Sequence, residues 1–162
     1  MNKKAQAALE FLTTYGWAFL VILIVIGALA YFGVLNPSKF LPNRCNFGSE
    51  FGCEDYQISA TADTFNLKLK NQAGEALTIS SIALGSEGAT TYVCTTAPTL
   101  ADINPWKSGN ITDLAWSTCN SAAAGFVSGE KGKVFVTISY YAASSSSAYT
   151  KQVSGEVLTA VI

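Results

Sequence analysis

The sequence predicts an α+β protein built in two unlike parts: a long N-terminal apolar α-helix, then an antiparallel β-sandwich head. Three observations carry this. No charged residue occurs from Phe11 to Ser38. After Pro42 the apolar residues alternate with polar ones, interrupted by short Gly, Ser and Asn gaps. All four cysteines fall in that second part. Of the 162 residues, 49% are apolar and 13% charged, with a mean hydropathy of +0.29. That excludes a disordered chain and is oily for an ordinary soluble domain. Without histidine the chain has no His-based acid–base pair, no Ser-His-Asp triad and no His metal site. A formal charge of −1 leaves no basic excess to hold nucleic acid.

The helix comes first. Trp17 to Leu35 reads WAFLVILIVIGALAYFGVL, apolar on every side without a polar stripe. Such a helix is either deeply buried or in lipid, and about 20 residues of this kind span a bilayer. A chain this small cannot wrap a helix of that length, so the transmembrane reading is preferred to a buried core helix. The basic start Met1-Asn2-Lys3-Lys4 stays cytoplasmic by the positive-inside bias, which places the head outside. A secretory signal has a shorter apolar region and a small-x-small cut after it. The far end here, Gly33-Val34-Leu35-Asn36-Pro37, lacks that pair, so the segment is expected to be retained. From Gln6 to Leu35 the helix would be about 45 Å long at 1.5 Å per residue. Asn36-Pro37 would stop it, because proline restricts the residue before it and cannot donate in a helix. Gly16, Gly27 and Gly33 weaken a helix in water but let neighbouring backbones approach closely in a bundle.

A lone carboxylate, Glu10, stands at the head of this helix in Lys3-Lys4-Ala5-Gln6-Ala7-Ala8-Leu9-Glu10-Phe11-Leu12. Burying it in lipid costs several kcal/mol unless it is paired or sits at the interface. The arrangement resembles the leader of type IV pilins, in particular the archaeal form whose first mature residue is glutamine. The resemblance covers only the start of the chain. It implies a leader peptide over 1–5, cut between Ala5 and Gln6 by a prepilin peptidase, a polymerisation and transmembrane helix over 6–36, and an extracellular head over 37–162. Glu10 then falls at the fifth mature position, where the family has its glutamate. The third and ninth positions hold Ala8 and Thr14, where the family has serine and leucine. The resemblance further implies an immunoglobulin-like β-sandwich for the head. It implies a homopolymer assembled as a helical filament by pilus machinery, held in the cytoplasmic membrane beforehand and serving surface adhesion at the cell surface. The swimming filament subunit, archaellin, is a close variant.

In the head, Phe65, Leu67 and Leu69 alternate with Asn66, Lys68 and Lys70, the cleanest strand signal. Asn71-Gln72-Ala73-Gly74-Glu75 reads as a hairpin turn. Leu77 and Ile79 continue one face, and Ile82 and Leu84 fall out of phase, so a bulge is expected near Ser80-Ser81. Tyr92-Val93-Cys94 is a short strand. Val134, Val136, Ile138 and Tyr140 make another, with Phe135 on the opposite face. Ala142 to Ser147 is a loop, and Tyr149 to Ile162 is a strand pair or one long strand bent at Gly155. Six to eight short strands with no helix-period stretch suggest an antiparallel sandwich.

An even number of cysteines in an exported chain favours disulfides. Cys45 and Cys53 are close together in a loop-rich stretch, so they are paired, which leaves Cys94 with Cys119. A four-cysteine zinc site prefers pairs two to four residues apart. Asn110-Ile111-Thr112 is an N-glycosylation sequon in a Gly- and Pro-containing loop, whereas Asn36-Pro37-Ser38 is excluded by its proline. The paired carboxylates Asp63 with Glu75 and Glu54 with Asp55 are explained by solvated strand ends. No phosphate loop, nucleophile elbow or calcium loop occurs. No enzymatic activity, cofactor or metal is therefore expected.

Two classes of function follow from the sequence: a structural polymer stacked by apolar helices, or a monomeric membrane-anchored binding domain. Cleavage separates them, since an ordinary anchor needs none. The expected outcome is a mature chain that begins at Gln6 and has lost Lys3 and Lys4, so that its formal charge falls from −1 to −3. Intact-mass measurement of cell-surface material checks this, and retention of Met1 refutes it.

Overall fold

In a computed structural model the chain falls into two compact units, residues 1–40 and 41–162. The described residues are 3–32, 41–88 and 90–162. The expected helix end at Asn36-Pro37, and Gly33 with it, lie outside them.

The first unit is α1, Lys3–Tyr31, about 43 Å long at 1.5 Å per residue. Ala and Leu favour it, and no proline interrupts it. Its described side chains are exposed along its length, apart from a half-exposed Ala18. The stretch Thr13–Tyr31 is long and apolar enough to cross a membrane.

The second unit is an all-antiparallel pair of four-stranded sheets. Its strands are β1 Arg44–Asn46, β2 Phe51–Ser59, β3 Thr64–Asn71, β4 Leu77–Ser86, β5 Cys94–Thr96, β6 Ile111–Cys119, β7 Lys131–Ala142 and β8 Lys151–Ala160, with a one-turn helix α2, Leu100–Ile103, between β5 and β6. The first sheet runs β1-β8-β7-β4 and the second β2-β3-β6-β5. Both faces meet in one apolar core. Phe65, Leu67, Leu69, Leu114 and Trp116 enter it from the second sheet; Leu77, Ile79, Val134, Val136, Ile138 and Val157 enter from the first. The period-two pattern dictates this, because successive side chains on a strand point to opposite faces. The Phe65 and Trp116 rings stack at 5.2 Å, as do those of Phe51 and Trp106. Burial pushes the hydroxyls of Tyr92 and Tyr140 above the usual tyrosine range.

The structure has a register shift between Ile79 and Ser81, at the expected bulge. It brings Ile82 and Leu84 onto the core side, where they pack as partly buried residues. The expected hairpin at Asn71–Glu75 is corrected. Strand β3 pairs with β2 and β6, whereas β4 pairs with β7. The segment between them therefore crosses from one sheet to the other. Asn71 explains why a turn-like sequence does this. Its amide, fully buried, donates to the carbonyls of Glu75 (2.9 Å) and Trp106 (2.8 Å) and accepts from the Ala73 N–H (2.9 Å). Its backbone N–H donates to Asn110 O and its carbonyl accepts from the Gly109 N–H. Tyr92-Val93-Cys94 is corrected as well: the strand starts at Cys94, and Tyr92 is a buried plug whose ring meets Phe126 edge-on at 4.8 Å. The end of the chain from Lys151 is one strand. Gly155 lies against the Phe47 ring, which a Cβ there would meet at 2.2 Å.

Open sheet edges invite pairing with other chains, and two of them are covered. On β4, Leu77 exchanges backbone bonds with Trp106, and the Asn104 side chain bonds to both the N–H and the C=O of Ile79. On β2, the run Val161-Ile162 continues β8 and pairs parallel beside Ile58. Replacement of the Asn71 amide (Asn71→Ala) leaves buried groups without partners and is expected to cost about 2–3 kcal/mol. It should lower the midpoint of denaturant unfolding without changing the slope.

Candidate functional site: the apolar helix and the outer faces of the head

Ala5 and Gln6 lie in the first turns of α1, and Glu10 is exposed one turn further on. At the sequence level, Thr13 and Thr14 are candidate hydroxyl partners for the Glu10 carboxylate. In the structure they serve the backbone instead. Thr13 Oγ1 donates to the carbonyls of Leu9 and Glu10 at 3.0 Å, and Thr14 Oγ1 donates to Glu10 O at 2.8 Å. On a helix the nearest acceptor for a hydroxyl is the carbonyl one turn back. The two polar side chains are thereby satisfied within the helix, which suits an apolar surrounding. Beyond Glu10, Phe11, Tyr15, Gly16, Phe19 and Ile22 frame an open apolar hollow of ≈ 520 Å³. The Phe11 and Tyr15 rings sit 4.6 Å apart, and the space beside Gly16 is empty. A second helix could approach there more closely than an alanine would allow.

In the head, Cys45 is bonded to Cys53 with Cα atoms 6.1 Å apart, and Cys94 to Cys119. The first bond joins β1 of one sheet to β2 of the other. The second joins directly opposed residues of β5 and β6. Neither strand β1 nor β5 exceeds three residues, so each bond holds a strand that its few ladder hydrogen bonds would hold weakly. Asn110 is exposed at the end of a turn. Its N–H donates to Lys107 O (3.1 Å), while its carbonyl accepts from Asn71 N and from Trp106 Nε1, both at 3.0 Å. The backbone of the sequon is thus fixed while its side chain faces solvent.

The outer faces carry features that the sequence pattern does not announce. On the first sheet Glu156 accepts from Arg44 (3.0 Å) and Lys133 (3.4 Å), and Lys133 also reaches Glu87 (2.6 Å) and lies over the Phe135 ring. The hydrogen bond to Glu87 is the main reason that the Lys133 ammonium titrates above its usual range. On the second sheet an open groove of ≈ 550 Å³ runs over β2, β3 and β6 beside the end of β8. Alternation shows which residues face outward, but only the strand register shows which of them stand together. Among the described residues no group of three or more Cys, Asp and Glu is placed to hold a metal ion.

No protein-family model and no curated protein matches the sequence.

The chain-entropy estimate assigns about 2.6 kcal/mol to closing the shorter disulfide loop and about 3.5 kcal/mol to the longer one. Cys94→Ser with Cys119→Ser is therefore expected to lower the melting temperature more than Cys45→Ser with Cys53→Ser. Calorimetry on the two variants checks the order, and equal or reversed shifts would contradict it.

Proposed function

We propose that the chain is the structural, non-catalytic subunit of an extracellular type IV pilin-like filament, with an immunoglobulin-like head and a helix that is first membrane-embedded and then packed against its copies. The observation that carries this is α1, apolar on every side and exposed along its described length. Such a surface leaves lipid only for an equally apolar place, and a bundle of identical helices is one. A repeated head-to-tail contact of this kind builds an open helical polymer. The open hollow at Gly16 and the bare backbone at Gly27 suit close helix packing. Two antiparallel sheets on one core support the immunoglobulin-like reading at the level of layers. The disulfides and the solvent-facing sequon at Asn110 suit an extracellular head.

Glu10 supplies register. Once α1 leaves the membrane, an unpaired carboxylate among apolar helices is strongly disfavoured. Thr13 and Thr14 are committed to the backbone, so the partner has to come from outside the helix. By the resemblance to pilins, it is the α-amine of Gln6 on the adjacent subunit, exposed when the prepilin peptidase removes residues 1–5. Pilus assembly machinery then extracts the subunit, and the polymer presents its heads for adhesion at the cell surface.

The test is Glu10→Ala in the producing cell, read as filament yield by negative-stain imaging and as processing by intact mass. Precursor accumulating in the membrane, with filaments few or absent, is the expected result. Normal filament yield with normal processing would refute the pairing role. Absence of any filament from the unaltered chain would favour a monomeric anchored domain.

A further inference from the structure

The outer face of the second sheet is a mesh of paired rungs. Register places Gln57 beside Asn66 and Asn66 beside Ala115 on one rung, and Asp55 beside Lys68 and Lys68 beside Asp113 on the next. Same-face side chains repeat about 6.8 Å along a strand, and strands lie about 4.8 Å apart. Asn43, Thr159, Ala160 and Ile162 raise one side of the mesh and turn it into the groove. Its volume, ≈ 550 Å³, lies within the 300–1,000 Å³ range of small-ligand sites.

The chemistry of the groove narrows what fits. Three amides, from Asn43, Gln57 and Asn66, each donate and accept. Two carboxylates accept, the Lys68 ammonium is already 3.3 Å from Asp113, and the Lys131 ammonium at the rim donates to the Asn43 amide oxygen. With Asp55 and Asp113 set against Lys68 and Lys131, the groove has no net positive charge to hold phosphate, sulfate or nucleic acid. Ala115, Ala160 and Ile162 add small apolar patches between the polar groups. A matching ligand both donates and accepts at closely spaced points, carries no negative charge, and has C–H faces between its polar atoms. Neutral sugars have this character.

We infer that this groove on β2, β3 and β6 binds a neutral oligosaccharide through the side chains of Asn43, Gln57, Asn66 and Asp113. The site lies wholly within the head and holds whether or not α1 assembles into a filament. The sugar's hydroxyls take the place of water on the amides and carboxylates, and a ring face lies against Ala115 and Ile162.

The test uses the full chain in a zwitterionic detergent without a sugar headgroup, since glycoside detergents present the same chemistry as the ligand. Saturation-transfer NMR is run against neutral hexose tetramers and against sulfated oligosaccharides. Signal transfer to at least one neutral tetramer, little or none to the sulfated set, and affinity reduced about tenfold by Asn66→Ala and by Asp113→Ala are the expected results. Such a loss corresponds to about 1.4 kcal/mol each. Melting temperatures should stay unchanged, because both side chains are on the surface. No transfer to any neutral tetramer, preference for the sulfated set, or binding that survives the combined Gln57→Ala, Asn66→Ala and Asp113→Ala change would overturn the assignment. So would variants that impair association of the chains while the unaltered protein ignores sugars, which would mark the face as a contact between heads.

Discussion

A helix with no polar side has no stable place in water, and the organisation of this chain follows from that constraint. Every described position of α1 presents apolar surface except the few at its start, where Glu10, Thr13 and Thr14 cluster. Thr13 and Thr14 turn their hydroxyls back onto the helix. Glu10 cannot, because an ionised carboxylate only accepts, and the backbone N–H groups beside it are already used by the helix ladder. Past the two lysines at its start, Glu10 is the one charged residue of α1, and it defines a position along the helix.

The head has to be stable by its own means. Its core is drawn from residues beyond Cys45, so the apolar half of the composition is divided between two separate demands. Two devices offset the small size of the core. Disulfides tie the two shortest strands, β1 and β5, to β2 and β6. The Asn71 amide fastens the crossing between sheets to the loop that covers β4. A buried polar group adds specificity of this sort only when all its bonds are made; at Asn71 the side chain makes three.

Much of this was legible in the sequence because its causes are local. The apolar helix, strands β3 and β7 and the bulge near Ser80-Ser81 all come from spacing that neighbouring residues determine. The misread parts depend on partners far along the chain. Asn71 to Glu75 has the composition of a hairpin turn, and nothing local shows that β3 and β4 belong to different sheets. Strand β2 contains a bulge between Cys53 and Asp55, which breaks the alternation that would have announced it. The need for glycine at 155 has the same kind of cause: the Phe47 ring that requires it lies more than 100 positions earlier. The groove was invisible for the same reason: Gln57, Asn66 and Ala115 are separated in sequence and meet only through register.

The pairing of β1 with β8 has a kinetic side. Arg44 to Asn46 find their partners at Glu156 to Leu158, and β2 gains its second neighbour only at Val161 and Ile162. Contacts of such long sequence separation form slowly, because loop closure precedes any gain from them. A chain that emerges N-terminus first therefore holds β1 and one edge of β2 without partners until nearly the whole head has appeared. Both disulfides lie ahead of β8 in the chain, so both can close before it appears. The first sheet, in which β8 stands between β1 and β7, is therefore the last part of the head to be completed.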